Sequence, residues 1–207
     1  MAGRPREFDR HQVLEQIQHV FWERGYESTS MNDLVAATGL ASARLYAAYG
    51  SKEALFREAI GRYEQQEGGF ADRALAEEPT AYCAIERMLR EAVDLYTADG
   101  SRGCMVVSAA TNCSPANDGV RHWLAEHRRQ RTESVVNRLH AAVAAGELSA
   151  GIDPQAVGDA YAALLHGISV QARDGIPRDR LLALIGPAMS LLDAYLSDWP
   201  CPPKRPG

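Results

Sequence analysis

The sequence holds no apolar run near the roughly 20 residues that a membrane-spanning helix needs, so no bilayer segment is expected. Its N-terminus, MAGRPREFDR, is charged where a secretory leader needs a continuous apolar stretch, and the expected location is the cytoplasm. The four cysteines, Cys83, Cys104, Cys113 and Cys201, form no CxxC pair and no grouping with histidine. Neither a disulfide framework nor a zinc site is indicated, and reduced thiols are the default. His122, His127 and His140 share one charged segment at a spacing that matches no metal motif, so no metal and no cofactor is expected. The nucleophile elbow, the phosphate loop, HExxH and paired carboxylates are all missing, which argues against an enzyme. No segment alternates at period two, so no sheet is expected.

An excess of positive charge is lacking too. The net charge is −5, whereas a dedicated binder of phosphate backbones is usually basic as a whole. The deficit is not evenly spread. Residues 1–57 carry seven Lys or Arg and seven Asp or Glu, so the whole imbalance lies after Arg57. A neutral head on an acidic body is compatible with a small DNA-contacting face on a larger domain, without demonstrating one.

What is present is helix. A chain of 207 residues with 46% hydrophobic content can bury a substantial core as one large domain or two small ones. Val13, Ile17, Val20 and Phe21 recur at helical spacing, and Gly25 closes that helix. Thr29–Asp33 resembles a capping box opening a short helix with Met31, Leu34 and Val35 inward, which Gly39 breaks. A second short helix is expected from about Ser42 to Tyr49, and Lys52 begins a longer one that weakens at Glu67–Gly69. Further helices are expected over 79–97, 101–111, 117–145, 153–173 and 177–196. Asp153-Pro154 is a strong start signal, and Pro187 should kink the last helix near Ala183. The Pro-rich end, 199–207, reads as a flexible tail.

Two short helices joined through Gly39 fit a helix-turn-helix, whose second helix enters the DNA major groove. The same corner is common in all-α proteins, so geometry alone leaves DNA binding and plain packing both open. A helical adaptor using the corner for protein contact is the other non-enzymatic reading. The residues around the corner say more. From Gly25 the chain reads GYESTSMNDLVAATGLASARLYAAYGSKEALFREAI. With the upstream helix ending Val20-Phe21, this resembles the DNA-binding region of the tetracycline-repressor (TetR) family over about residues 8–63.

That resemblance implies an all-α protein: a three-helix head over 1–52 and a helical ligand-binding and dimerisation bundle over 53–198. It implies a homodimer that binds double-stranded operator DNA and responds to a small-molecule effector, most often as a repressor. It also implies DNA contacts at Thr29, Ser30, Ser42, Ala43, Arg44, Tyr46 and Lys52. Arg44 is the one side chain of its helix able to make a bidentate bond to a guanine edge. Tyr46 can offer a hydroxyl to phosphate, and Lys52 sits at a helix N-terminus that already favours an anion. Thr29 and Ser30 can serve as caps, as phosphate contacts, or both. Ala41, Ala47 and Ala48 stand where the family often has polar contacts, and Arg4 and Arg6 in the preceding arm could compensate.

The segments 153–173 and 177–196 are apolar around too much of their circumference for helices with one buried face. A subunit interface and an entirely intramolecular burial are the two readings. Tyr82, Met88, Met105, His122, Trp123 and His166 are candidate ligand residues, because aromatics, Met and His line mostly apolar sites; plain core is the alternative for each. Arg102-Gly103-Cys104 invites a redox-sensing reading beside that of an inert buried thiol.

Overall fold

The structure, a computed structural model, describes residues 8–98, 100, 102–110 and 113–196. Arg4, Arg6, Cys201 and the expected tail 199–207 lie outside the described residues. Eleven α-helices follow one another among the described residues, with no strand; one isolated bridge pairs Leu148 with Leu196.

The head is set by local chemistry. Helix α1 (Arg10–Arg24) starts where the Asp9 carboxylate accepts from the backbone N–H groups of His11 and Gln12, at 2.9 and 3.2 Å. Helix α2 (Met31–Thr38) opens with the expected capping box, carried by Ser30 and Asp33. It ends at Gly39, whose φ of 68° is a left-handed conformation that a side chain resists. Helix α3 (Ser42–Tyr49) follows after two residues, and α4 (Lys52–Gln65) begins under the Ser51 hydroxyl, which accepts from Ala54 N at 3.0 Å.

Next, a 3-10 turn over Glu67–Gly69 leads directly into α5 (Phe70–Glu77), a helix absent from the sequence-based expectation. The two glycines mark a bend between two helices rather than the fraying of one. Helix α6 (Ala81–Thr97) is capped by Thr80. The helix expected over 101–111 is the shorter α7 (Met105–Ala110), because Gly100 and Gly103 take φ of 86° and 66° and hold the preceding chain out of helical geometry. Helix α8 (Asp118–Ala144) is 27 residues long, which at 1.5 Å per residue is roughly 40 Å. Helix α9 (Pro154–Arg173) has Asp153 as cap and Pro154 at its first position, as expected. The final segment divides into α10 (Arg178–Leu182) and α11 (Ile185–Asp193). The gap at Ala183-Leu184 is where Pro187, lacking an N–H, leaves the Ala183 carbonyl without its helical partner.

Two apolar cores result. One joins α1–α4 to α7 and the start of α8, around Ile17, Phe21, Leu34, Leu45, Phe56 and Ile60, all fully buried. The other gathers α5, α6, the later part of α8 and α9–α11 around Ile85, Met88, Leu89, Tyr161, Ile168 and Leu192. Helix α8 takes part in both, giving Val120 and Leu124 to the first and Val135, Leu139 and Ala142 to the second. The cores are therefore connected by one continuous rod. Glu147, buried after α8, accepts from the Ala81 N–H and lies 3.5 Å from the Arg138 guanidinium. It ties the start of α6 to the end of α8.

Candidate nucleic-acid interface and bundle cavity

Leu45 and Tyr49, four apart on α3, face inward and anchor that helix to the head core. The same periodicity turns Ala43, Tyr46 and Ala47 outward. Tyr46 is 45% exposed, large for an aromatic with no solvent-side role. Ser42, at the start of α3, and Arg44 are half-buried. The Arg44 guanidinium lies over the Phe8 ring, 5.0 Å from its centroid, so the chain before α1 reaches across to the second short helix. Phe8 carried no signal in the sequence that could have linked it to Arg44. Lys52, the first residue of α4, holds its ammonium 4.4 Å from the Tyr26 ring centroid. Burial there lowers its pKa, against the opposing pull of Glu27.

The two hydroxyls before α2 part company. Thr29 is 1% exposed, and its Oγ1 donates to the Gly25 carbonyl at 2.7 Å, closing the turn after α1. Ser30 is exposed; its Oγ donates to Asp33 Oδ2 at 2.6 Å and accepts from Asp33 N at 3.2 Å. The bonds from Ser30 hold the Asp33 carboxyl below the usual carboxylate range. Ser30, Ala41 and Ser51 leave the N-termini of α2, α3 and α4 exposed, where backbone N–H groups and the positive dipole end favour anions. Arg10 braces this frame, stacking at 4.6 Å on the Tyr49 ring and pairing with Glu58 at 2.9 Å.

The bundle contains a cavity of about 440 Å³ including its mouth. Phe70, Val106, Val107 and Leu165 give it an apolar wall. Its polar wall comes from Tyr63 and Glu64 of α4, Tyr96 of α6, Cys104, three α8 residues and His166 of α9. His127 Nδ1 lies 2.8 Å from Glu64 Oε1, and Arg131 pairs with Asp72. The Tyr63 hydroxyl donates to Cys104 Sγ at 3.6 Å. Burial pushes the Tyr63 and Tyr96 phenols well up, so both stay protonated donors at neutral pH. Burial also lowers the Arg128 guanidinium, and burial together with Arg128 lowers the His166 imidazole. The Nη1 of Arg128 is buried without a hydrogen-bond partner.

Of the six ligand candidates, His166 lines this cavity. Tyr82 and Met88 are core residues of the second cluster, and Met105 belongs to the first. His122 is exposed on α8, and Trp123 packs against Phe56, His127 and the Arg57 guanidinium where α8 meets α4. Tyr63, Tyr96, Arg128 and Arg131 were not among the ligand candidates nominated from the sequence. Their convergence comes from three helices far apart in the chain. Cys83, Cys104 and Cys113 are free thiols, half-buried; Cys104 precedes α7 and Cys113 follows it.

The wall that holds Cys104 also touches the head. Trp22 Nε1 donates to the Gly103 carbonyl at 2.8 Å, and the Trp22 ring meets the Tyr63 ring edge-on with centroids 4.8 Å apart. The Arg102 guanidinium covers the other part of Trp22 at 4.5 Å. On the body side, the Cys104 N–H donates to Ser169 Oγ at 2.8 Å. A Cβ at Gly103 would lie 2.6 Å from the Ser169 carbonyl oxygen, so glycine is needed there for space as well as for its positive φ.

Two family models match the chain. The family described as "Bacterial regulatory proteins, tetR family" matches residues 13–59, and "Tetracyclin repressor-like, C-terminal domain" matches residues 81–185. The HTH-type transcriptional repressor ComR of Escherichia coli (strain K12) is 29% identical over 191 residues, covering 91% of each chain. The repressor BdcR of the same organism is 28% identical over 204 residues, 96% of each chain. Among solved structures, a cysteine mutant of the TetR family transcriptional regulator CifR, complexed with a 26 bp double-strand operator DNA, is 40% identical with a TM-score of 0.86. That match covers 90% of this chain and 98% of the other.

Proposed function

This chain belongs to the TetR family of bacterial regulatory proteins, and from that premise we propose that it is a sequence-specific transcriptional repressor, released from its operator by a small molecule. The observation that carries the reading is α3: a short helix held from behind by Leu45 and Tyr49, placed after a left-handed glycine, with its other face open. Ser42, Ala43 and Arg44 are the side chains we assign to base edges, and Ser30, Tyr46 and Lys52 to phosphate. Thr29, buried beneath Ser30, positions the cap. The protein acts in the cytoplasm and catalyses no reaction.

Binding is by a homodimer. Val170, Leu191 and Leu196 are large apolar residues exposed on or beside α9 and α11, which favours a second copy over these helices. Two heads related by a two-fold axis require a pseudo-palindromic operator. In this reading the DNA-reading unit is residues 1–52 and the sensing unit begins at residue 53. Helix α4 starts at that division and ends in the cavity wall. Lys52 and Tyr63 are eleven residues apart, roughly 16 Å along the helix. A ligand against Tyr63 and Glu64 therefore pushes on the rod whose other end faces DNA, and a changed spacing of the two heads weakens operator binding.

Selection of bound genomic fragments by the purified dimer tests this reading, followed by titration of the recovered duplex at several salt concentrations. A pseudo-palindromic consensus bound by two chains is expected, with affinity falling as salt rises. A monomer that binds the same duplex at full affinity, or no enrichment at all, overturns it.

A further inference from the structure

The cavity has charged groups of largely one sign, and their pairing is incomplete. Glu64 is its one acidic lining residue, and it is already engaged by His127. Arg131 is satisfied from outside the cavity by Asp72 and reaches the Gly68 carbonyl at 3.4 Å. Arg128 has no such partner: its Nη1 is shielded from solvent and unbonded. The residue as a whole is half-buried, but a guanidinium N–H held out of water without an acceptor is unfavourable even so. Arg128 nonetheless stays where a bound molecule could meet it.

We infer that the cavity is built for an organic monoanion, a carboxylate on a compact apolar body, with Arg128 as the group that recognises the charge. The inference rests on the regulatory reading of this cavity given above and names the class of molecule that fills it. The remaining wall fits the same molecule. Tyr63 and Tyr96 supply protonated phenols, and the one acceptor the Tyr63 hydroxyl has is a sulfur, a weak one that a carboxylate oxygen would displace. Phe70, Val106, Val107 and Leu165 suit an apolar body. An amine would bring a second positive charge beside Arg128, and a neutral alcohol would leave its charge uncompensated.

Four probes decide the matter on the full-length protein at fixed ionic strength: hexanoate, benzoate, 1-hexanol and hexylamine, followed by calorimetry and thermal melting. At least one of the two acids is expected to bind and raise the melting temperature, with the alcohol and the amine weaker by on the order of tenfold or more, since charge-assisted hydrogen bonds are about twice as strong as neutral ones. Arg128→Met should abolish the preference for acid over alcohol, and Arg128→Lys, which keeps the charge, should retain part of it. Arg128→Met should also melt no lower than wild type without ligand, because it removes an unpaired charge; a purely structural arginine would give a lower melt. Equal binding of acid and alcohol by the wild type, no binding of either acid, or an acid preference that survives Arg128→Met overturns the proposal. The same probes in an operator competition separate the two levels. An acid that binds through Arg128 but leaves operator affinity unchanged keeps the anion site and removes the regulatory reading. Release of the operator by 1-hexanol alone does the reverse.

Discussion

Arg44 and Lys52 are both cations at the head, yet their surroundings assign them different work. Arg44 lies on α3 with its guanidinium over the Phe8 ring. A guanine edge accepts two parallel hydrogen bonds in the plane of such a guanidinium. Lys52 is a point charge at the exposed N-terminus of α4, suited to any phosphate. Arg44→Ala is therefore expected to cost about 1–3 kcal/mol on the cognate operator and far less on unrelated duplex. Lys52→Ala should weaken both nearly equally and flatten the salt dependence by about one unit of slope per half-site. Binding curves on both duplexes across a salt series check the contrast; parallel losses for Arg44→Ala would make it a backbone clamp. Ser30 offers a second test at this scale. Ser30→Ala removes the cap of α2 and should lower stability by about 1 kcal/mol, read from denaturant unfolding. It should also let the Asp33 carboxyl titrate nearer its ordinary value, visible by NMR titration. The sign follows from the depressed carboxyl: its contribution is present above the unfolded pKa and lost as pH falls through the folded one.

Helix packing depends on a few positions where no side chain fits. At Gly158 on α9, an added Cβ would strike Val136 Cγ2 of α8, and the Val136 Cα lies only 3.3 Å from it. The backbones of α8 and α9 approach closely there because glycine permits it. Gly158→Ala should destabilise by about 1–3 kcal/mol through overpacking, and Val136→Ala in the same chain should recover part of the loss. Denaturant unfolding of both single variants and the double variant measures the coupling; strict additivity would mean the helices do not meet as described. Such contacts were not legible in the sequence, since Gly158 reads there only as a weak spot in a helix. The punctuated elements were legible: the helix closed by Gly25, Ser30 to Gly39, Asp153-Pro154 and the disturbance Pro187 causes near Ala183 each rest on chemistry within a few residues. Helix α5 was not, because Gly68-Gly69 signals an end just before it and its buried residues Phe70, Ala71, Ala74 and Leu75 make too short a stripe. The DNA-contact candidates sit on one such local unit, and its resemblance to the family nominated them. Arg128 and the two cavity tyrosines owe their meeting to tertiary packing, which no local pattern encodes.

For the molecule as a whole, the question is how a filled cavity reaches DNA. Besides the stack of His127 on Trp123 and of Trp123 on Phe56, two connections leave the cavity for the head. One is α4 itself, from Tyr63 back to Lys52. The other is the chain before α7, where Gly103 gives its carbonyl to Trp22 of α1 while Cys104 next to it is bonded to Ser169 of α9. Trp22→Phe separates them. It keeps an aromatic ring against Tyr63 but deletes the N–H, leaving a buried carbonyl unsatisfied at a cost of about 1–3 kcal/mol of stability. If the Gly103 connection carries the coupling, unliganded Trp22→Phe should hold its operator nearly as tightly as wild type, while the drop in affinity caused by cavity ligand shrinks toward none. Coupling free energies of this kind are typically about 1–3 kcal/mol, or roughly 5–150-fold in affinity, well within the reach of fluorescence anisotropy. Reciprocity supplies an internal check, since operator DNA must weaken ligand binding by the same factor that ligand weakens operator binding, in wild type and variant alike. Full coupling retained in Trp22→Phe would assign the transmission to α4 or to the His127–Trp123–Phe56 stack and leave the Trp22 bond as a brace between the two cores.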